Sequence, residues 1–96
     1  MAKMSESEAS QIGKALSDPT RLGIYTEIAK RKELFCGELG ACAEFSFATV
    51  SHHLRVLSQA GLISSRRSGQ FIFYRAIKTR INDYRRYLAQ LTKRGK

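Results

Sequence analysis

Few residues in this 96-residue sequence could do covalent or metal chemistry: two cysteines, Cys36 and Cys42, and two histidines, His52 and His53. Thiols six positions apart on one regular helix are separated by about 9 Å of rise and a rotation of about 240°, which puts their Cα atoms roughly 10 Å apart. A disulfide needs less than about 7 Å, so the two cannot bridge unless Cys36 precedes the helix or the helix opens. A bridge between two chains, or a thiolate site completed by another donor, stays open. So does the plain alternative of two small residues packed in a short helix. Cys36 at a helix N-terminus would be drawn toward the reactive thiolate, against the nearby charges of Glu33 and Glu38. The histidines are adjacent, and neighbouring side chains on a helix point about 100° apart, so they do not share a metal ion. There is no Cys-x-x-Cys, no set of nucleophile, base and acid, and no glycine loop for phosphates. We therefore expect no enzyme, no resident metal and no cofactor, with Cys36 and Cys42 as candidate sensor residues.

The histidines belong to the most informative stretch, residues 45–62. Ser46 is a helix cap, Val50, Leu54 and Leu57 recur at helical spacing, and Gly61 ends the pattern. Ala48, Ser51, His52, Arg55 and Gln59 fall on the opposite side, while His53 lies at the edge of the apolar arc and reads as a packed, hydrogen-bonded residue. The stretch contains no acid. A solvated helix face normally carries both signs of charge, so a negative partner is expected against this one. The whole chain agrees. Its net charge of +9 is concentrated from Arg55 onward, where eleven Lys and Arg residues face Asp83 alone.

Other elements must hold that helix in place. Ser5-Glu6-Ser7-Glu8 has the form of a capping box and opens a helix over residues 5–16 with Ala9, Ile12 and Leu16 at helical spacing. Gly13 weakens this helix and allows another helix to come close. Asp18 and Pro19 begin a second helix whose stripe is Leu22, Tyr25, Ile28 and Ala29, with Lys30, Arg31 and Lys32 at its negative end. Residues 33–35 form a connector or a single β-bridge. Residues 36–43 form a short third helix with Leu39 inward, which pairs with the histidine helix as a helix-turn-helix. Beyond Gly61 the period becomes that of a strand, and residues 62–66 and 71–75 flank a polar tip as a β-hairpin, here a wing. Ile77, Ile81, Tyr84, Leu88 and Leu91 form an apolar seam on a last helix over residues 77–92. The expected fold is mainly α with a small β-hairpin: about five helices and a two-stranded wing in one domain over residues 1–96. A chain this short buries only roughly 60–65% of its unfolded surface, so a second copy covering the last seam is expected. The polar start, Met1 to Gln11, and the lack of an apolar run near roughly 20 residues point to a cytoplasmic protein without membrane contact.

Three motifs together carry a resemblance. Ala15-Leu16-Ser17-Asp18-Pro19-Thr20-Arg21-Leu22 comes first. Thr49-Val50-Ser51-His52-His53-Leu54-Arg55-Val56-Leu57 with Ala60-Gly61-Leu62-Ile63 follows, and then an Arg-x-Gly wing ending in Tyr74-Arg75. In this order and spacing, over nearly the whole chain, the sequence resembles the ArsR/SmtB family of winged-helix repressors. The resemblance implies a homodimer joined through the first and last helices, through Ala9, Ile12, Leu16, Ile77, Ile81, Tyr84, Leu88 and Leu91. It implies a double-stranded, inverted-repeat operator, and release by a small inducer: a metal, metalloid, oxidant or electrophile. The DNA contacts expected are Ala48, Thr49, Ser51, His52 and Arg55 from the reading helix, and Arg66, Arg67, Ser68, Gly69 and Gln70 from the wing.

The chain departs from the family where the family senses. The Cys-x-Cys pair of the arsenic-sensing branch falls on Phe35 and Gly37, with Cys36 between them. The last helix has Asp83 but no histidine or glutamate for the zinc-sensing set. The inducer is therefore unnamed by the sequence. A second function class, a winged-helix module for protein interaction or RNA association without specific DNA readout, stays open, and the acid-free helix face favours DNA.

Overall fold

The computed structural model describes residues 3–93. Helix α1 spans Glu6–Leu16 and α2 Pro19–Ala29; strand β1 is Leu34–Phe35. A single 3-10 turn, Cys36–Glu38, leads to α3 at Ala41–Glu44 and α4 at Phe47–Gln59. Strands β2 (Ile63–Ser68) and β3 (Phe71–Ala76) precede α5 at Lys78–Lys93.

The caps behave as their chemistry requires. Ser5 and Glu8 close a reciprocal capping box on α1, with the Ser5 N–H donating to Glu8 Oε1 (2.8 Å) and the Glu8 N–H donating to Ser5 Oγ (3.1 Å). The Asp18 carboxylate accepts from the Arg21 N–H at 2.9 Å, with Pro19 as the first residue of α2. Helix α4 ends with Gly61 at φ 77°, the Leu62 N–H donating to the Leu57 carbonyl and the Gly61 N–H to the Ser58 carbonyl, both at 3.0 Å. That pair of bonds needs a left-handed residue, which glycine adopts without a side-chain clash.

The core joins all three structural levels: Ile12 from α1, Ile24 and Ile28 from α2, Leu34 from β1, Leu57 from α4 and Leu62 are all but fully buried. Ile81 and Tyr84 of α5 pack against it. Tyr84 does so beside Gly13, where a Cβ would sit 3.4 Å from the tyrosine oxygen, so the close helix approach expected at Gly13 is made by α5.

Of the two readings of residues 33–35, the bridge is the one formed: Leu34 and Phe35 pair with Tyr74 and Phe73, which adds a short third strand to the wing in the antiparallel order β1-β3-β2. Three expectations need correction. The buried face of α2 is Ile24, Tyr25 and Ile28, and Leu22 is exposed. Arg21 lies on that face one turn before Ile24 and Tyr25, and its hydrogen bonds take the place an apolar side chain would hold. The third helix is not continuous. A Cβ on Gly37 would lie 2.7 Å from the Phe35 ring, and the Gly40 N–H donates to both carboxylate oxygens of Glu27 at 3.2 Å, so the chain breaks at Leu39–Gly40 and restarts. Finally, Ile12 is fully buried within the protomer and cannot gain burial in an interface.

Candidate nucleic-acid interface

Helix α4 is the centre of the site. Its cap, Ser46, accepts from the Thr49 N–H (3.2 Å) and donates its hydroxyl to Thr49 Oγ1 (3.0 Å), so the first turn is closed by its own side chains. Val50, Leu54 and Leu57 are buried, while Ala48, His52, Arg55 and Gln59 are exposed and Thr49 and Ser51 half-buried. The five helix residues named from the sequence therefore share one accessible polar face, as their spacing requires.

The orientation of that face is set by two arginines. Arg21 donates from Nε to the Ala15 carbonyl (2.7 Å) and from Nη2 to the Lys14 carbonyl (3.2 Å), and its Nη1 lies 3.1 Å from His53 Nδ1. One guanidinium thus closes the end of α1 and tethers α4. A guanidinium only donates, so His53 Nδ1 is the acceptor and the ring proton sits on Nε2, 3.9 Å from the Asp18 carboxylate. Burial holds the His53 pKa below its usual value; the charge of Asp18 opposes this and that of Arg21 adds to it. At the other end, Arg80 of α5 donates to the Ala60 carbonyl at 3.2 Å and lies 3.5 Å from Glu8 of α1, placing a cation at the negative end of α4. The two histidine rings are 5.8 Å apart at the centroids and tilted by 50°. His53 faces Arg21, whereas His52 is exposed with Arg55.

The wing turns at Gly69–Gln70, with Gly69 at φ 63°, the positive value that the first residue of a two-residue hairpin loop takes in a right-twisted ribbon. Arg67, Ser68, Gly69 and Gln70 are all exposed at this tip. Arg66 differs from them. Its guanidinium donates to Glu33 through Nε (2.7 Å) and Nη2 (2.9 Å) and lies 4.8 Å from the centre of the Phe73 ring. The Arg66 bonds hold the Glu33 carboxyl below the usual range. This forked pair clips β2 to the residue before β1 and fixes the angle of the wing.

Because the third helix opens, the cysteines are brought together rather than held apart on a regular helix. The Cys42 thiol donates to the Cys36 carbonyl at 3.4 Å, and Cys36 is half-buried while Cys42 is exposed. Burial pushes the Cys36 thiol up, with Cys42 adding to the shift, which reverses the lowering expected at a helix N-terminus.

The sequence alone assigns no positioning role to Arg21, Glu33 or Arg80. Arg21 alone had a local signal: it is a cation in the first turn of α2, where the helix end is positive, so something else had to hold it there. Glu33 meets Arg66 across 33 positions, and Arg80 meets Ala60 across 20, which no local pattern shows.

A family model for a helix-turn-helix domain matches residues 16–66. The chain is 35% identical to the transcriptional repressor SdpR of Bacillus subtilis, over 85% of this chain and 90% of that protein. The chain belongs to the ArsR family of DNA-binding winged helix-turn-helix repressors. Among solved structures, an ArsR-like transcriptional regulator from Rhodococcus matches with a TM-score of 0.80 at 30% identity, covering 92% of this chain and 82% of that one. A homodimeric winged helix-turn-helix DNA-binding domain from Mycobacterium bovis matches with a TM-score of 0.69 at 25% identity, covering 97% and 90%. In this ArsR-family fold α4 is the second helix of the helix-turn-helix and β2–β3 form the wing. Among the described residues no helix is long and apolar enough to cross a membrane.

Proposed function

We propose that two copies of this repressor bind an inverted-repeat operator as a homodimer, each placing the N-terminal half of α4 in a major groove. The observation that carries this is the outer face of α4: Ala48, His52 and Arg55 exposed, Thr49 and Ser51 beside them, and no acid anywhere in residues 45–62. Hydroxyls, an imidazole and a guanidinium reach base edges and phosphates, and Arg55 is the strongest contributor. Arg67, Ser68, Gly69 and Gln70 reach the next minor groove or its phosphates, and Arg66 positions the wing through Glu33.

The second copy seats on α5 and the outer side of α1. Leu88 and Leu91 are exposed there, beside an open groove of about 520 Å³ lined by Glu6, Ala9, Ser10, Gly13, Tyr84 and Tyr87. Of the α1 residues named from the sequence, Ala9 lines this groove and Leu16 packs on the protomer core. The homodimeric relative supports the pairing. A gel shift with the DNA immediately upstream of the gene, at near-physiological salt, tests the reading: binding no tighter than to a random duplex of equal length would refute it.

The closeness of the two cysteines, with the Cys42 thiol on the Cys36 carbonyl, supports a thiol-directed inducer, a metal ion, metalloid, oxidant or electrophile. It acts at Cys36 and Cys42, just before the reading helix, and changes the separation of the two α4 helices. Cys36→Ser should abolish release from DNA by such an agent; release that persisted for all four classes would remove the cysteines from the switch.

A further inference from the structure

We infer that Phe47 reads the methyl group of a thymine in the major groove, an inference that rests on α4 being the reading helix. Phe47 is the first residue of α4 and is 82% exposed, well above any other large apolar side chain among the described residues. A ring left this far in water gains from any apolar surface that comes to cover it. Position decides which surface that is. Cα–Cβ bonds on a helix tilt toward its N-terminus, so a side chain on the first residue projects past the helix end. That end is the one that enters the groove, and its residues meet base edges first.

The neighbours leave the ring few alternatives. Ser46 and Thr49 are bound to each other, and Ala48 is too small to cover the ring. The core stripe of α4 begins one turn further on, at Val50. Of the four bases only thymine presents an apolar group in the major groove, its C5 methyl, and an aromatic ring is among the side chains that pack on it. Phe47 therefore supplies the largest apolar contact at this end of α4, beside which the methyl groups of Ala48 and Thr49 offer a thymine far less surface. Phe45, on the other side of Ser46, follows α3 and is 39% exposed, about half as much as Phe47.

The test uses the full chain and a duplex it selects from a random pool. That duplex is synthesised twice, once with its thymines and once with deoxyuridine, which lacks only the methyl group. The wild-type protein should bind the thymine duplex about fourfold more tightly per contacted methyl, the factor for burying one methyl-sized group. Phe47→Ala should fold normally, as judged by an unchanged melting curve, and should lose most of the thymine preference, keeping only what Ala48 and the Thr49 methyl contribute. Equal binding of both by the wild type overturns the proposal. So does a thymine preference that survives Phe47→Ala undiminished, or a selected duplex with no thymine among the base pairs that the protein protects. A pool that yields no preferred duplex at all would instead sink the DNA reading on which the proposal stands.

Discussion

Helices α4 and α5 both carry apolar residues at helical spacing, yet α4 sinks Val50, Leu54 and Leu57 into the protomer while α5 has no buried residue and leaves Leu88 43% and Leu91 55% exposed. The difference lies in what each helix has beneath it. The C-terminal half of α4 rests on Ile12, Ile24 and Ile28 and is held by the Gly61 cap and Arg80. Only the first half of α5, at Ile81 and Tyr84, meets that core. The same pattern thus has two destinations. On α4 the apolar face is used up inside and the polar face is the exposed one. On α5 part of the apolar face itself stays exposed.

Mutations on the two seams should separate these roles, and the largest effect is expected inside. Leu57→Ala removes a fully buried side chain and should destabilise the protomer by about 3 kcal/mol, lowering the thermal midpoint by more than about 10 °C. A shift of only a few degrees would mean that α4 is not seated on a packed core. Leu88→Asp combined with Leu91→Asp should do the opposite, leaving the protomer folded by circular dichroism while sedimentation shows monomers. Operator affinity should then fall by roughly a hundredfold, because each half-site is bound without its tethered neighbour. A double variant that stayed dimeric would break the comparison at α5.

Charge on the outer face of α4 comes next. Arg55→Glu should leave the melting curve close to wild type, since Arg55 is exposed, and should weaken operator binding by roughly tenfold or more. If Arg55 meets a phosphate, the slope of log affinity against log salt should also fall by about 1. Unchanged affinity would move the DNA off this face and favour the protein- or RNA-binding alternative.

How far the sequence could be read follows from the range of the forces involved. Caps, periodicity and turn chemistry are local, so Ser5, Asp18, Ser46, Gly61 and the apolar stripe of α4 were all legible. So was the wing, whose Gly69 turn needs nothing from elsewhere. The errors came where distant residues intervened. Arg21 cannot be placed on the inner face of α2 without knowing that His53 and the end of α1 meet it, and so the spacing points Leu22 inward instead. The α3 break depends on the Glu27 carboxylate reaching Gly40, and the third strand depends on Leu34 finding Tyr74. The outward face of α4 was legible as a set of polar residues. Phe47 was not, because its 20° offset from Leu54 on a helix of 3.6 residues per turn puts it near the buried stripe. Only the end of the core short of it exposes the ring.

The smallest expected effect tests how α4 is held rather than what it reads. His53 accepts from Arg21 as a neutral ring, and its pKa lies below the ordinary 6.5 because burial disfavours the charged form. The unfolded chain therefore takes up this proton first as the pH falls. Stability should be full above about pH 6.5, decline below it, and level off once the folded ring protonates as well. The carboxyls of Asp18, Glu8 and Glu33 are also shifted down, but their losses begin below ordinary values of 3.8, 4.5 and 4.5, so the interval from 6.5 to 4.5 reports on His53. Comparing thermal midpoints at pH 7.5 and pH 5.0, the wild type should lose stability and His53→Gln, whose amide oxygen can still accept from Arg21, should lose less. Protonation also forbids the Arg21 bond, because Nδ1 then becomes a donor. Operator affinity at fixed salt should hold through the start of that decline, while the folded ring is still neutral. It should weaken in the wild type only at the lower pH where the folded ring protonates, and weaken less in His53→Gln. Parallel curves for the two proteins would show that the tether between Arg21 and His53 does not set the angle of the reading helix, and would leave Arg80 and the core to do so.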